Sequence, residues 1–420
     1  MISVIFIGIL VFAALGGPIF AVMSLFALVA FTFADIEMSA VVIEIYRLAS
    51  APTLLTIPLF TLAGYLMAES KSPMRLLKLA NAALGWLPGG VAIVSLVICA
   101  FFTAFTGASG VTIIALGGLL YPMLIKENYS EKFTLGLITT SGSLGLLFPP
   151  SLPIILYGII AKVDIDKLFL AGVIPGILLI VILSAWSIYC GKSNKSTHRQ
   201  KFSFSELKKS MWEARFELPL PLIVLGGIYG GFITATEASA LTAFYVLVMV
   251  CFLYKDLSFI KDVPKIIKES QTLVGAILLI LCCALGLTNY LVDEEVPMQM
   301  LNLMKQFITN KYVFLLFLNI FLLIVGSMMD IFSAIIVVVP LILPIAKEFG
   351  VDPIHLAIIF LTNLEIGYIT PPVGINLFIS SFRFKKPVLT LYKASVPYLF
   401  LMLFALVLIT YIPWLTLVWF

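Results

Sequence analysis

Apolar runs long enough to cross a lipid bilayer recur from one end of this 420-residue chain to the other, broken by short polar turns such as Glu69 to Lys78 and Lys126 to Lys132. A spanning helix needs roughly 20 such residues, and this rule predicts about ten to twelve crossings. Apolar residues make up 61% of the chain and charged ones 11%. A single aqueous core cannot hide three residues in five, whereas a bilayer removes the problem. The expected fold is therefore an all-α polytopic membrane protein.

The remaining composition excludes several classes of function. A net charge of +4, from 26 basic and 22 acidic residues, is ordinary for a membrane protein with Lys-rich cytoplasmic loops and gives no argument for nucleic acid. Cys99, Cys190, Cys251, Cys282 and Cys283 mostly sit in apolar runs without CxxC spacing and read as small hydrophobes. The two histidines, His198 and His355, are too few for the usual zinc sets built on His and Cys. No GxxxxGK[ST] stretch occurs, so ATP binding by a P-loop is not expected, and no HExxH or comparable catalytic set points to an intramembrane enzyme. The first basic residue is Arg47, so the start lacks the positive region of a cleaved secretory signal, and the segment from Met1 to Phe33 is expected to stay in the membrane.

Shifting the sequence by 222 residues places Pro122 on Pro344, Thr140 on Thr362, Gly145 on Gly367, the Pro149-Pro150 pair on Pro371-Pro372, and Ile113-Ile114 on Ile335-Ile336, without a gap. Apolar matches come cheaply in such a composition; matched Gly, Pro and Thr positions in one frame do not. The chain reads as two copies, residues 1–190 and 218–420, flanking a polar segment at 191–217. In that segment Lys192, Lys195, Arg199, Lys201, Lys208, Lys209 and Arg215 outnumber Glu206, Glu213 and Glu217, which places it in the cytoplasm. Phe202, Phe204, Leu207, Met211 and Trp212 are interleaved with these charges, so an amphipathic surface helix is expected there. Duplicated halves of this kind build many secondary transporters, commonly with inverted topology.

The run from Val313 to Ile345 has 33 residues and one charge, Asp330, in its middle. As one helix it would be roughly 50 Å long, too long for a hydrocarbon core of roughly 30 Å and too short for two full spans. A re-entrant hairpin fits, with its tip at Gly326 to Asp330 and a counterpart over Gly90 to Ile125 whose tip is Thr106 to Gly110. Downstream of each tip lies a second break, Thr140 to Ser151 and Thr362 to Val373, where tandem prolines remove backbone donors and glycine lets the chain unwind, at 145–151 and 367–373. Non-helical backbone at that depth is tolerated only inside protein or beside a watery cavity. Its carbonyls and hydroxyls are hard ligands for Na⁺, and half-helix N-termini suit a carboxylate. Asp330 and Glu365 lie on these second-half breaks and are expected near the site. Glu237 in Thr234-Ala-Thr-Glu237 reads as a helix cap, His355 as a helix-start residue, and Asp35, Glu37, Glu44 and Asp293 to Glu295 as interfacial.

Six stretches together, Ile57 to Gly64, Gly85 to Gly90, Phe105 to Gly110, Gly145 to Ser151, Gly227 to Ala238 and Thr370 to Asn376, resemble the large membrane subunit, the DctM-like or M subunit, of tripartite ATP-independent periplasmic (TRAP) transporters. The resemblance implies an inner-membrane, elevator-type carrier, in which a transport domain holding both hairpins slides against a scaffold on a Na⁺ gradient. It implies two partners, a small four-helix membrane subunit and a periplasmic substrate-binding protein, the former expected as a separate polypeptide because this chain begins directly with the large subunit. By the same resemblance one Na⁺ site would use Thr106, Gly107 and Ser109 with Gly145, Phe148 and Ser151, and a second Gly326 with Gly367, Thr370 and Val373. The organic anion would lie between the tips, near Ser109, Ser151 and Asp330. Where relatives carry another hydroxylated residue before the first tip glycine, this chain has Thr106, which keeps the chemistry. Sialic acid, other sugar acids, C4-dicarboxylates and sulfonates are the anions implied. A stand-alone Na⁺/dicarboxylate symporter of a related family is the alternative.

Overall fold

The computed structural model describes residues 7–9, 11–13, 15–33, 43, 46, 50–193, 202–305, 308 and 310–420. Lys195, His198, Arg199 and Lys201 of the polar segment, and Asp35, Glu37, Glu44 and Arg47 near the start, lie outside the described residues. Among the described residues every regular element is helical. Among the described residues, seven helices are long and apolar enough to span a bilayer, nine if each of two bent pairs counts as one span, and four shorter apolar helices accompany them. Short and broken pieces therefore carry the difference from the about ten to twelve windows that the 20-residue rule finds.

In the first half, α1 (Ile19–Phe33) precedes α2 (Thr56–Glu69) and α3 (Ser72–Leu84), which meet at a 76° bend. Then come α4 (Gly90–Thr106), α5 (Ser109–Lys126), α6 (Glu131–Ser141), a 3₁₀ turn at Leu144–Leu147, α7 (Leu152–Ala161) and α8 (Ile165–Ser193). The polar segment folds into α9 (Phe204–Glu213), capped by the Ser203 side chain, with Phe204 and Trp212 exposed beside the charges; it is the surface helix its composition predicts. The second half has α10 (Ala235–Val248), α11 (Asp262–Asp293), α12 (Val296–Lys305), α13 (Lys311–Met328), α14 (Ile331–Glu348), α15 (Pro353–Gly367), α16 (Ile375–Phe384), α17 (Val388–Tyr411) and α18 (Trp414–Leu417).

Local chemistry explains where these helices start and stop. Ser130, Asn310, Asp330 and Asp352 each accept a hydrogen bond from a first-turn N–H of the helix that follows. Thr234 and Glu237 form the reciprocal capping box expected at α10. Gly107 ends α4 with a φ of 64°, in the left-handed region that favours glycine. Both helical hairpins are present: α4 and α5 turn at 107–108, and α13 and α14 turn at 329–330. Gly326, placed at the second tip by the sequence reading, still lies in the last turn of α13, so that turn comes three residues later.

Packing pairs the halves reciprocally. The first arm of each hairpin rests on the broken helix of its own half, α4 on α6 and the 3₁₀ turn, and α13 on α15; the second arm rests on the other half, α5 on α16 and α14 on α7. Around this unit α1, α2, α10 and α11 pack on one another, with α2 touching α4 and α11 touching α14.

Candidate functional site

Both predicted breaks occur at matched positions. Residues 142–151 separate α6 from α7 and residues 368–374 separate α15 from α16, and each break contains a cis peptide, at Pro149-Pro150 and Pro371-Pro372. The matched glycines share one main-chain bond: the Phe148 N–H donates to the Gly145 carbonyl at 3.0 Å, and the Thr370 N–H to the Gly367 carbonyl at 3.0 Å. Each carbonyl keeps a second lone pair.

The reason for glycine differs from the one the sequence suggests. Neither Gly145 nor Gly367 has a positive φ. A Cβ on Gly145 would sit 2.2 Å from the Ala100 carbonyl oxygen of α4, and one on Gly367 would sit 2.3 Å from the Gly326 carbonyl carbon of α13. Each glycine lets the broken helix lie against the backbone of the hairpin arm, and unwinding follows from the prolines.

The sequence-predicted residues gather in two clusters. In the first, Thr103 Oγ1 donates to the Gly142 carbonyl at 2.7 Å and lies 2.7 Å from Thr112 Oγ1, joining both hairpin arms to the start of the break. Gly107 meets the Leu152 side chain next to Ser151, and Thr106, Gly145 and Ser151 are buried. The Phe148 ring instead turns outward onto Gly176 of α8, which leaves only its carbonyl, already accepting the Ser151 N–H, as an oxygen for the cluster. In the second, the Val373 and Gly374 N–H groups both donate to the Ser327 carbonyl, at 3.3 and 3.1 Å, and the Ile331 N–H donates to Tyr368 Oη at 2.9 Å. Gly326, Gly367 and Val373 thus belong to one tip-on-break contact, while Thr370 lies in the same break with its hydroxyl donating to the Ile366 carbonyl. Asp330 caps α14, accepting from the Ser333 N–H and hydroxyl.

Asn376, at the end of the Thr370 to Asn376 stretch, bridges the two halves. Ser109 Oγ donates to Asn376 Oδ1 at 2.7 Å, and Asn376 Nδ2 donates to the Thr139 carbonyl at 3.2 Å. The starts of α5 and α16 therefore meet, a contact across 267 positions that no local pattern signals.

Among the described residues, some buried side-chain oxygens on or beside the breaks lack a hydrogen-bond partner, as do others elsewhere, such as Thr134 Oγ1, Ser184 Oγ and Ser395 Oγ. Thr140 Oγ1, Ser151 Oγ, Asn363 Oδ1 and both carboxyl oxygens of Glu365 make no hydrogen bond. Native interiors leave few such groups, and those that remain tend to mark functional positions. His355 is different: it lies in the first turn of α15, the helix-start position expected of it, and its ring nitrogens lie 2.7 Å from Thr416 Oγ1 and 3.2 Å from the Thr410 carbonyl oxygen, which also ties α15 to α17 and α18.

Residues 4–415 match the family described as tripartite ATP-independent periplasmic transporter, DctM component. The chain belongs to the DctM family. It is 35% identical to the C4-dicarboxylate TRAP transporter large permease DctM of Pseudomonas aeruginosa, over 92% of this chain and 90% of that one. It is 37% identical to the isethionate TRAP transporter permease DctMQ of Oleidesulfovibrio alaskensis over 86% of this chain, and the match spans 57% of that longer protein. A crystal structure of the Alcanivorax borkumensis YdaH transporter shares the fold, with a TM-score of 0.63 at 13% identity, covering 90% of this chain and 88% of that one. This DctM-family chain is accordingly a multi-pass inner-membrane permease subunit and not an enzyme.

Proposed function

We propose that this DctM-family subunit imports a small organic anion with Na⁺, working with a small membrane subunit and a periplasmic binding protein that delivers the solute. The observation that supports it most is the pair of tip-on-break clusters, where buried oxygens lack partners in both halves. One Na⁺ would be held by Thr106, Gly107, Ser109, Gly145, Phe148 and Ser151, and another by Gly326, Gly367, Thr370 and Val373. The anion would sit by Ser109, Ser151 and Asp330, facing the starts of half-helices, whose free N–H groups favour negative charge. The C4-dicarboxylate and isethionate names of its relatives favour a compact carboxylate or sulfonate. The two hairpins and broken helices would travel together as the transport domain against α1, α2, α10 and α11.

The energetics close without ATP. Each positive charge moved down 100 mV of membrane potential yields about 2.3 kcal/mol, so two Na⁺ with a monoanion drive uptake electrogenically. The test is uptake of labelled C4-dicarboxylates, isethionate and sialic acid into proteoliposomes holding the chain and both partners, with and without a Na⁺ gradient. Sodium-independent uptake would refute the coupling, and uptake by the chain alone would favour a stand-alone symporter.

A further inference from the structure

The helix of the polar segment, α9, carries its charges unevenly. At the helical spacing, Ser205, Lys208, Lys209 and Trp212 fall on one face, and all four are exposed. Leu207, Ser210 and Ala214 fall on the opposite side of the helix, which packs against α3. Two of the three glutamates here turn inward to α3: Glu213 pairs with Lys78 at 3.0 Å, and Glu217 is buried on Arg75. Arg215, just past the helix, lies over the Trp212 ring, its guanidinium 4.8 Å from that centroid and 4.6 Å from the Phe216 centroid. Three cations therefore share the outer face with Trp212, and Glu206 on the flank is the one exposed acid of the helix.

Among the described residues no carboxylate pairs with Lys208, Lys209 or Arg215. Arg215 gives one N–H to the Trp212 carbonyl, at 3.0 Å, and keeps its other donors. An open recess of 590 Å³ is lined by these three side chains and by the apolar Met211, Trp212 and Leu218. Lys192, Lys195, Arg199 and Lys201 precede the helix in the sequence and add charge of the same sign. Neighbouring rings mark the depth. Trp86 and Phe202, both exposed, meet edge to face with centroids 6.2 Å apart, and Trp186 stacks on the exposed Tyr189 at 5.7 Å near the end of α8. Gly89 lies against the backbone of Ser187 and Ile188, which brings the two ring pairs to the same end of the fold. Trp and Tyr are enriched at the headgroup level of a bilayer.

We propose that this face of α9 binds the headgroup of an anionic phospholipid of the cytoplasmic leaflet, with Lys208, Lys209 and Arg215 holding the phosphate and Met211, Trp212 and Leu218 lying at the acyl boundary. Charge complementarity selects the occupant. Clustered Lys and Arg at the cytoplasmic end of a spanning helix meet the negative surface of that leaflet. A helix that combines those cations with Trp, Phe and Leu suits the boundary between headgroups and acyl chains. A soluble acidic partner would answer the lysines and leave that apolar surface in water. The Arg215 guanidinium, held against two rings, is preorganised for phosphate oxygens. Because Glu213 and Glu217 join this segment to α3, a bound headgroup also fixes the height of α3 in the bilayer. That consequence for uptake rests on the proposed transport cycle, whereas headgroup binding does not.

The test is native mass spectrometry of the full chain in detergent, titrated with phosphatidylglycerol, phosphatidylcholine or glycerol phosphate. Wild type should bind phosphatidylglycerol at least about tenfold more tightly than phosphatidylcholine, which is about 1.4 kcal/mol, and should not bind glycerol phosphate at the same concentrations. Combining Lys208→Gln, Lys209→Gln and Arg215→Gln should abolish the preference, and Lys208→Arg with Lys209→Arg should keep it. Lys208→Gln with Lys209→Gln breaks no ion pair of the protein and serves if the triple variant fails to fold. In liposomes, phosphatidylglycerol should slow amine labelling of Lys208 and Lys209, which gives a readout local to the face. Equal affinity for the two lipids, a preference undiminished in the glutamine variants, or glycerol phosphate binding as tight as that of phosphatidylglycerol overturns the proposal. So does protection of the two lysines by the small membrane subunit and not by phosphatidylglycerol, which would make the face a subunit contact. Uptake by the complete system that is equal with and without phosphatidylglycerol overturns the anchoring of α3.

Discussion

At the scale of single residues, the site depends on polar atoms whose partners come from the other half of the chain. Ser109 donates to Asn376, and removing the hydroxyl strands a buried amide oxygen, a loss of about 1–3 kcal/mol. Ser109→Ala is expected to lower uptake by about tenfold with membrane insertion unchanged; wild-type uptake would remove Ser109 from the site. Asp330 separates two roles, because asparagine caps a helix about as well as aspartate. Asp330→Asn should therefore keep α14 and its stability while lowering transport through loss of the charge. A variant that transports normally but unfolds at lower temperature would make Asp330 a cap and nothing more.

At the scale of elements, the hairpins and breaks work as matched surfaces, and their glycines are contact points. A methyl group on Gly367 would collide with the Gly326 backbone, which cannot swing aside as a side chain can. Gly367→Ala and Gly145→Val should each raise the Na⁺ concentration needed for half-maximal uptake, and an unchanged Na⁺ titration in both would contradict the tip-on-break reading. Much of this level was legible beforehand. Gly, Pro and Thr in register at a spacing of 222 marked both breaks, and one charge inside 33 apolar residues marked the second hairpin. The cause of the glycines was not legible, since close approach depends on a helix 40 or more residues away, and neither was Asn376, whose partners lie in the opposite half. The orphaned state of Glu365 was hidden for the same reason: sequence gives the charge but not the neighbours that fail to answer it.

At the scale of the whole molecule, the connection between halves is fastened as well as threaded. Arg75 of α3 bonds Glu217 at 2.6 Å and Asp256 at 2.8 Å, with its guanidinium 3.7 Å from the centroid of the Tyr254 ring. Tyr254 and Ser72 donate to the Glu217 carboxylate, at 2.7 and 3.0 Å, and Lys78 pairs with Glu213 at the surface. First-half helix, polar segment and the stretch after α10 are thus joined at one buried cluster, which suits the framework against which the hairpins are proposed to move. Such a cluster holds only while it is complete, because removing one partner leaves a charge stranded away from water. Arg75→Met strands Glu217, whose side chain is wholly buried, and should cost about 3 kcal/mol, less than a fully isolated charge because Tyr254 and Ser72 remain. The double variant Arg75→Met, Glu217→Met should recover only the part of that loss owed to Glu217, because Asp256 still lacks its partner. Thermal unfolding of the detergent-solubilised chain measures both. If the single variant melts with wild type, or the double variant melts below the single, the cluster does not fasten the halves.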